Sequence, residues 1–241
     1  MDFDIAYFKI KIIADMLWYI IWWISWYLFY QNIFSKYPQL KNPFNKTQNF
    51  DYILTIIAGA FGCGIFFSTL DNFLLHPEKD ILVTKSIAAS LFWATIFSEI
   101  FKKIHNVKFN TGVLWVPGLV LGLIVWRIGA FMIGLRDNTH GIVTNLPWGI
   151  DYGDGFLRHP LQLYEVGVLI LFFAFFCFSL QYKREYILRN GFFLFTLTYF
   201  SYRFFIGFIS PYSDFWYGLN TYQVISIIMI WYSFYKLKKY S

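Results

Sequence analysis

Seven apolar stretches, at 14–33, 52–72, 84–102, 113–134, 160–181, 191–209 and 221–236, leave this chain few ways to fold. A membrane crossing needs about 20 apolar residues at 1.5 Å rise each, and these runs approach or reach that length. Inside lipid every backbone N–H and C=O must be satisfied internally, so such runs cross as helices. The expectation is an all-α fold: a polytopic membrane protein with about seven transmembrane helices, forming one domain over 1–241. Charged residues make up only 14% of the sequence, whereas a soluble domain carries about 25%. No internal repeat or low-complexity tract interrupts the pattern.

The net charge of +6 invites a nucleic-acid reading, but its distribution excludes one. Cations cluster at the ends of the apolar runs, as membrane-topology signals do. One set of loops holds Lys36, Lys41 and Lys46; Lys102, Lys103 and Lys108; Lys183, Arg184 and Arg189; and Lys236, Lys238 and Lys239. The alternate set holds Lys9 and Lys11, Lys79 and Lys85, and Arg136 and Arg158. That bias places the C-terminus in the cytoplasm, the N-terminus outside, and loop 135–159 on the outer face. The acidic start Met1-Asp2-Phe3-Asp4 lacks a cationic leader, so the first run reads as a retained span. Cys63 and Cys177 read as isolated packing thiols.

Polar residues inside these runs carry the chemical information. A charge at the centre of a membrane helix costs about 2.5–3.5 kcal/mol on insertion scales, so Arg127 and Arg203 need partners. The expected partner is an anion that reaches membrane depth, such as a lipid phosphate. Arg127 could alternatively snorkel to the headgroups. Thr196, Tyr199 and Arg203 fall on one helical face, as a site or as a packing network. Gln162 and Glu165 share another face, and Glu165 is either an arginine's structural partner or an acid/base group. Gly118 and Gly122, like Ala60 and Gly64, predict close helix contacts, and Pro117 predicts a kink. Asp151-Tyr-Gly-Asp-Gly155 reads as turn chemistry, His76 and His140 as solvated loop histidines, and Glu99 with Lys103 as an ion pair.

Taken together these residues resemble the prolipoprotein diacylglyceryl transferase family of bacterial inner membranes, over roughly 112–230. The likeness runs through Pro117, Gly122, Arg127, Ile128, Gly129 and Phe131, then Gly141, Pro147 and Trp148. It continues in the string Arg158-His159-Pro160-Leu161-Gln162-Leu163-Tyr164-Glu165, and in Tyr199, Arg203 and Gln223.

The resemblance implies transfer of a diacylglyceryl group from phosphatidylglycerol to the lipobox cysteine of a prolipoprotein, with release of glycerol phosphate. It implies catalytic roles for Arg127, Arg203, Tyr199 and His159, and substrate contacts for Arg158, Gln162, Glu165, Gly129 and Gln223. The two arginines would neutralise the phosphate as charge builds on the leaving group, with no metal or organic cofactor. A general base must also ionise a thiol whose ordinary pKa is about 8.5; Asp137, His140, His159 and Tyr199 are the candidates. The chain departs from the family pattern in four places. Lys85–Ser90 stands for the family's His-Gly-Gly, Ala130 for an asparagine, Ile133–Arg136 for Asn-Gly-Glu, and Gly207 for a glutamate. Those departures motivate the alternative of a relative that binds an anionic phospholipid or lipoprotein without turnover.

Overall fold

In the computed structural model the described residues are 2–36, 46–75, 86–107, 110–211 and 217–240, and they form an all-helical bundle. Helix α1 covers Asp2–Lys36. Helices α2 (Lys46–Ile57) and α3 (Gly64–Leu75) run on through a π-helical turn, Ala58–Cys63. Then come α4 (Ile87–Ile104), α5 (Val116–Ile133), α6 (Leu161–Tyr182), α7 (Arg184–Ile206) and α8 (Thr221–Tyr240).

A helix stands at each of the seven expected positions. Five stretches are long and apolar enough to cross a membrane: Lys9–Phe29, Gln48–Leu74, Thr111–Asp137, Leu161–Tyr182 and Arg184–Ile209. The other two are more polar. Helix α4 carries Glu99, Lys102 and Lys103, and α8 mixes tyrosine, glutamine and lysine among its isoleucines. Their polar groups meet each other: Glu99 pairs with Lys102 and, at 2.5 Å, with Lys236 of α8. Glu99 thus pairs with Lys102 and Lys236 and not with the expected Lys103.

Pro117 starts a helix instead of kinking one. A short 3-10 turn, Thr111–Trp115, precedes α5, and Pro117 occupies its first turn, where a missing N–H costs nothing. Helix α1 lies along α5, and the glycines of α5 make room for it. A Cβ at Gly118 would come 2.9 Å from Trp22, one at Gly122 2.7 Å from Trp18, and one at Gly129 2.4 Å from the Ala14 methyl. Trp22 and Trp26 stack on Trp115, 5.5 and 5.7 Å between ring centres. Gly64 admits the backbone of Ser90, so α3 and α4 meet as closely. The remaining contacts run α5–α6–α7–α8–α4, around a core that includes Val120, Leu169, Phe172, Phe195 and Met229.

The helices alternate in direction. The start of α1, the ends of α3, α5 and α7, and the starts of α6 and α8 share one end of the bundle, since Ala14 meets Gly129 and Asp71 accepts from Thr221 at 2.5 Å. That end carries a hairpin whose strands β1 (Ile150–Asp151) and β2 (Leu157–Arg158) pair antiparallel. Its tip is turn chemistry: Asp151 Oδ1 accepts from the N–H groups of Gly153, Asp154 and Gly155. Gly153 and Gly155 have φ of 97° and 78°, conformations that favour glycine.

Candidate functional site

Three helices deliver one charged group each to a common buried point. Arg127 lies six residues before the end of α5, Glu165 four after the start of α6, and Arg203 three before the end of α7. At 1.5 Å per residue these are depths of about 9, 6 and 4.5 Å from the hairpin end. Arg127 Nε is 2.8 Å from Glu165 Oε1, an ion contact off the line of a hydrogen bond. Arg203 Nη1 approaches Glu165 Oε2 at 3.5 Å. The carboxylate is only 2% exposed and Arg127 4%. The arginines thus do not snorkel apart; their first partner is a carboxylate of the protein itself, not only the lipid anion expected from sequence.

Two guanidinium groups bring about ten N–H donors to a carboxylate offering roughly four lone-pair sites. The cluster is therefore rich in donors relative to its one shared carboxylate. Arg127 also lies over the Trp126 ring, 4.9 Å from its centre. The Tyr199 phenol is buried beside all three charged groups, and its oxygen has no partner of hydrogen-bond geometry. Thr196 leaves this face. Its hydroxyl meets Ser233 of α8 at 2.8 Å, so the expected polar stripe divides into packing (Thr196) and site (Tyr199, Arg203).

The hairpin end supplies a second tier. Gln162 is buried and accepts from the Tyr152 phenol at 3.0 Å, while its Nε2 has no partner. Burial, then the neighbouring Tyr164, pushes the Tyr152 phenol up to about 12, so it stays a donor at neutral pH. Arg158 is held by Asp154, Nε at 2.8 Å and Nη2 at 2.6 Å from the same carboxylate oxygen. This contact keeps the Asp154 carboxyl below its usual range. His159 Nδ1 lies 3.2 Å from the Tyr164 hydroxyl, which accepts the Trp148 indole N–H at 2.8 Å. No described hydrogen bond or ion pair joins Arg158 or His159 to the buried trio. Gly129 meets α1, as above.

Gln223 is committed to structure at both ends of its amide. Its Oε1 accepts from Asn220 N–H at 2.9 Å while Asn220 Oδ1 accepts from Gln223 N–H, a reciprocal helix cap. Its Nε2 donates to the Phe204 carbonyl, beside Arg203. A Cβ at Gly207 would stand 2.5 Å from this side chain, so Gln223 fills the space a side chain at 207 would need. Among residues not anticipated, Tyr202 donates to the Leu161 carbonyl at 2.9 Å, pinning the Arg203 turn to the Glu165 turn. Tyr152 and Trp126 were also not anticipated; no signal separates them in a chain with 18 Tyr and 10 Trp. The Asn220-Thr-Tyr-Gln223 spacing, in contrast, is a readable capping pattern. His76 and Lys85 lie outside the described residues.

Comparison with known proteins bears on this arrangement. The family model for prolipoprotein diacylglyceryl transferase matches residues 16–237. A phosphatidylglycerol–prolipoprotein diacylglyceryl transferase of Dehalococcoides mccartyi is 31% identical over 202 residues, covering 76% of this chain and 74% of its own length. One from Chlamydia pneumoniae is 32% identical over 155 residues, 58% of this chain and 52% of its own length. One from Nitratidesulfovibrio vulgaris is 42% identical over 97 residues, 39% of this chain and 33% of its own length. The chain thus spans between a third and three quarters of these relatives. With its apolar helices and a match reaching from α1 into α8, this multi-pass bacterial inner-membrane protein belongs to the prolipoprotein diacylglyceryl transferase family.

Proposed function

We propose that the protein moves a diacylglyceryl group from phosphatidylglycerol to the lipobox cysteine thiol of a prolipoprotein. The observation that carries this reading is the buried Arg127–Glu165–Arg203 cluster, with more donors than its carboxylate can use, inside the family match. Sulfur forms a bond to the glyceryl carbon that carries the phosphate ester. The C–O bond breaks, its electron pair leaves on glycerol phosphate, and the thiol proton passes to a base. Arg127 and Arg203 bind the phosphate and stabilise the charge that builds there, where low dielectric strengthens each contact. Glu165 holds both guanidinium groups in place before substrate arrives, and Tyr199 lies against the same charges. Gln162 offers its unpartnered amide nitrogen, and Arg158 and His159 stand at the entrance. In this reading the hairpin end faces outward, with the N-terminus outside and the C-terminus cytoplasmic.

The test is reconstitution in phosphatidylglycerol vesicles with a lipobox peptide. The expected outcome is glycerol phosphate in solution and an equal amount of thioether-linked peptide. Binding of phosphatidylglycerol without either product supports the alternative, a relative that holds an anionic lipid or lipoprotein without turnover. Ala130, buried where the family pattern has a polar asparagine, is the feature that favours it.

A further inference from the structure

We infer that His140 is the group that takes the proton from the acceptor thiol. This rests on the transferase reading above and names a residue that reading leaves open. A thiol with an ordinary pKa of about 8.5 is mostly protonated at neutral pH, so transfer needs a base at the site.

Among the described histidines, geometry selects His140. The chain leaves α5 through a 3-10 turn, Gly134–Asp137, and reverses at Asn138 in a left-handed conformation, φ 53°. It is then tied down on both sides. Gly141 N–H donates to the His159 carbonyl at 2.8 Å, and Ile142 N–H donates to the Ile209 carbonyl at 2.9 Å. A Cβ at Gly141 would stand 2.5 Å from the His159 Cβ, so only glycine permits this approach. His140 is thereby fixed where α6 begins and the turn after α7 ends, the two elements that deliver Glu165 and Arg203. Its ring centre lies 6.1 Å from that of Tyr152, whose phenol holds Gln162, one helical turn from Glu165. Its Nδ1 is buried and has no partner, a ring nitrogen held in place and unused.

The other described candidates are engaged or elsewhere. His105 caps α4 at the opposite end of the bundle. His159 faces the Tyr164 hydroxyl on the hairpin side, and Asp137 accepts from Thr139 at 2.6 Å. Tyr199 is a buried phenol, a poor acceptor while protonated.

The charges facing His140 are Arg158 and Asp154 from the hairpin and Asp137 from the turn, with the neutral phenol of Tyr152 against the ring. Burial, then Arg158, holds its imidazole below the usual histidine range, and Asp154 and Asp137 only partly offset this. The ring is therefore neutral at pH 7 and able to accept. In the step itself the S–H proton moves to His140, sulfur bonds to the glyceryl carbon, and the phosphate oxygen leaves with the C–O electron pair.

The experiment is the pH profile of kcat/KM for the full-length protein in phosphatidylglycerol vesicles with a lipobox peptide. The wild type should show an acid limb with its inflection below the ordinary histidine value. His140→Gln should lower kcat about 100-fold or more, abolish that limb, and leave KM for the peptide and the melting temperature unchanged. Added imidazole should restore part of the rate to His140→Gly. His76→Gln and His159→Gln should each keep the limb. A His140→Gln protein with wild-type rate and limb overturns the assignment alone, as does loss of the limb in either control. A wild type that releases no glycerol phosphate overturns the transferase reading and the assignment with it.

Discussion

Glu165 sets the terms at the scale of single residues, because one carboxylate holds two guanidinium groups that arrive from different helices. Removing it leaves both cations buried without their shared counter-charge. Breaking a buried pair from one side costs about 3–5 kcal/mol, so Glu165→Ala should lower the melting temperature in detergent sharply. Arg127→Lys keeps the charge but loses the planar fork, and should cost activity far more than stability. Tyr152→Phe would strip Gln162 of its remaining partner and should cost about 1–3 kcal/mol in the same melting assay. The Tyr152 phenol, raised to about 12 against an unfolded value near 10, adds stability that is complete below pH 10. That contribution should fade as pH rises toward 12, and Tyr152→Phe should melt without this dependence. The ionisable members of the site were legible because charge is rare in apolar runs. Their pairing was not, since it depends on three helices ending at matching depths. Tyr202 and Tyr152 were hidden among 18 tyrosines.

Helices were legible as elements, and their ends were not. The apolar run at 191–209 is the most apolar part of a helix that already begins at Arg184, because polar residues continue a helix that hydropathy cannot see. Pro117 carried an ambiguous signal, since the same residue kinks a helix interior and opens a helix start; the 3-10 turn before it decides the matter. The glycines of α5 were read as close-contact positions, and they are, although what enters two of the spaces is an indole of α1. Gly129→Leu would drive a side chain into Ala14. Overpacking costs about 1–3 kcal/mol, and displacement of α1 from the site should reduce activity as well. Ala14→Gly in the same protein should return part of the loss, measured by melting temperature and turnover.

Across the whole molecule, the alternation of helix directions gathers α5, α6 and α7 so that the site forms at one end, beneath the hairpin. The number and length of the apolar spans anticipated the helical architecture. The neighbour order α1–α5–α6–α7–α8–α4 was beyond their reach, because every apolar helix offers lipid and protein the same kind of surface. The proposed orientation predicts that single cysteines replacing Asp4 and Ser241, with Cys63 and Cys177 replaced by Ala, label from opposite sides of sealed vesicles. Labelling of both from one side would invert the reading of which face the site opens to.

The central claim is that Arg127 and Arg203 bind and neutralise a lipid phosphate. Its most direct measurement is glycerol phosphate release from phosphatidylglycerol by the wild type, Arg127→Ala and Arg203→Ala, each at matched amounts of folded protein with the lipobox peptide present. The account predicts turnover by the wild type and a loss of about 100-fold or more in each variant. Release at the wild-type rate by either variant would contradict it.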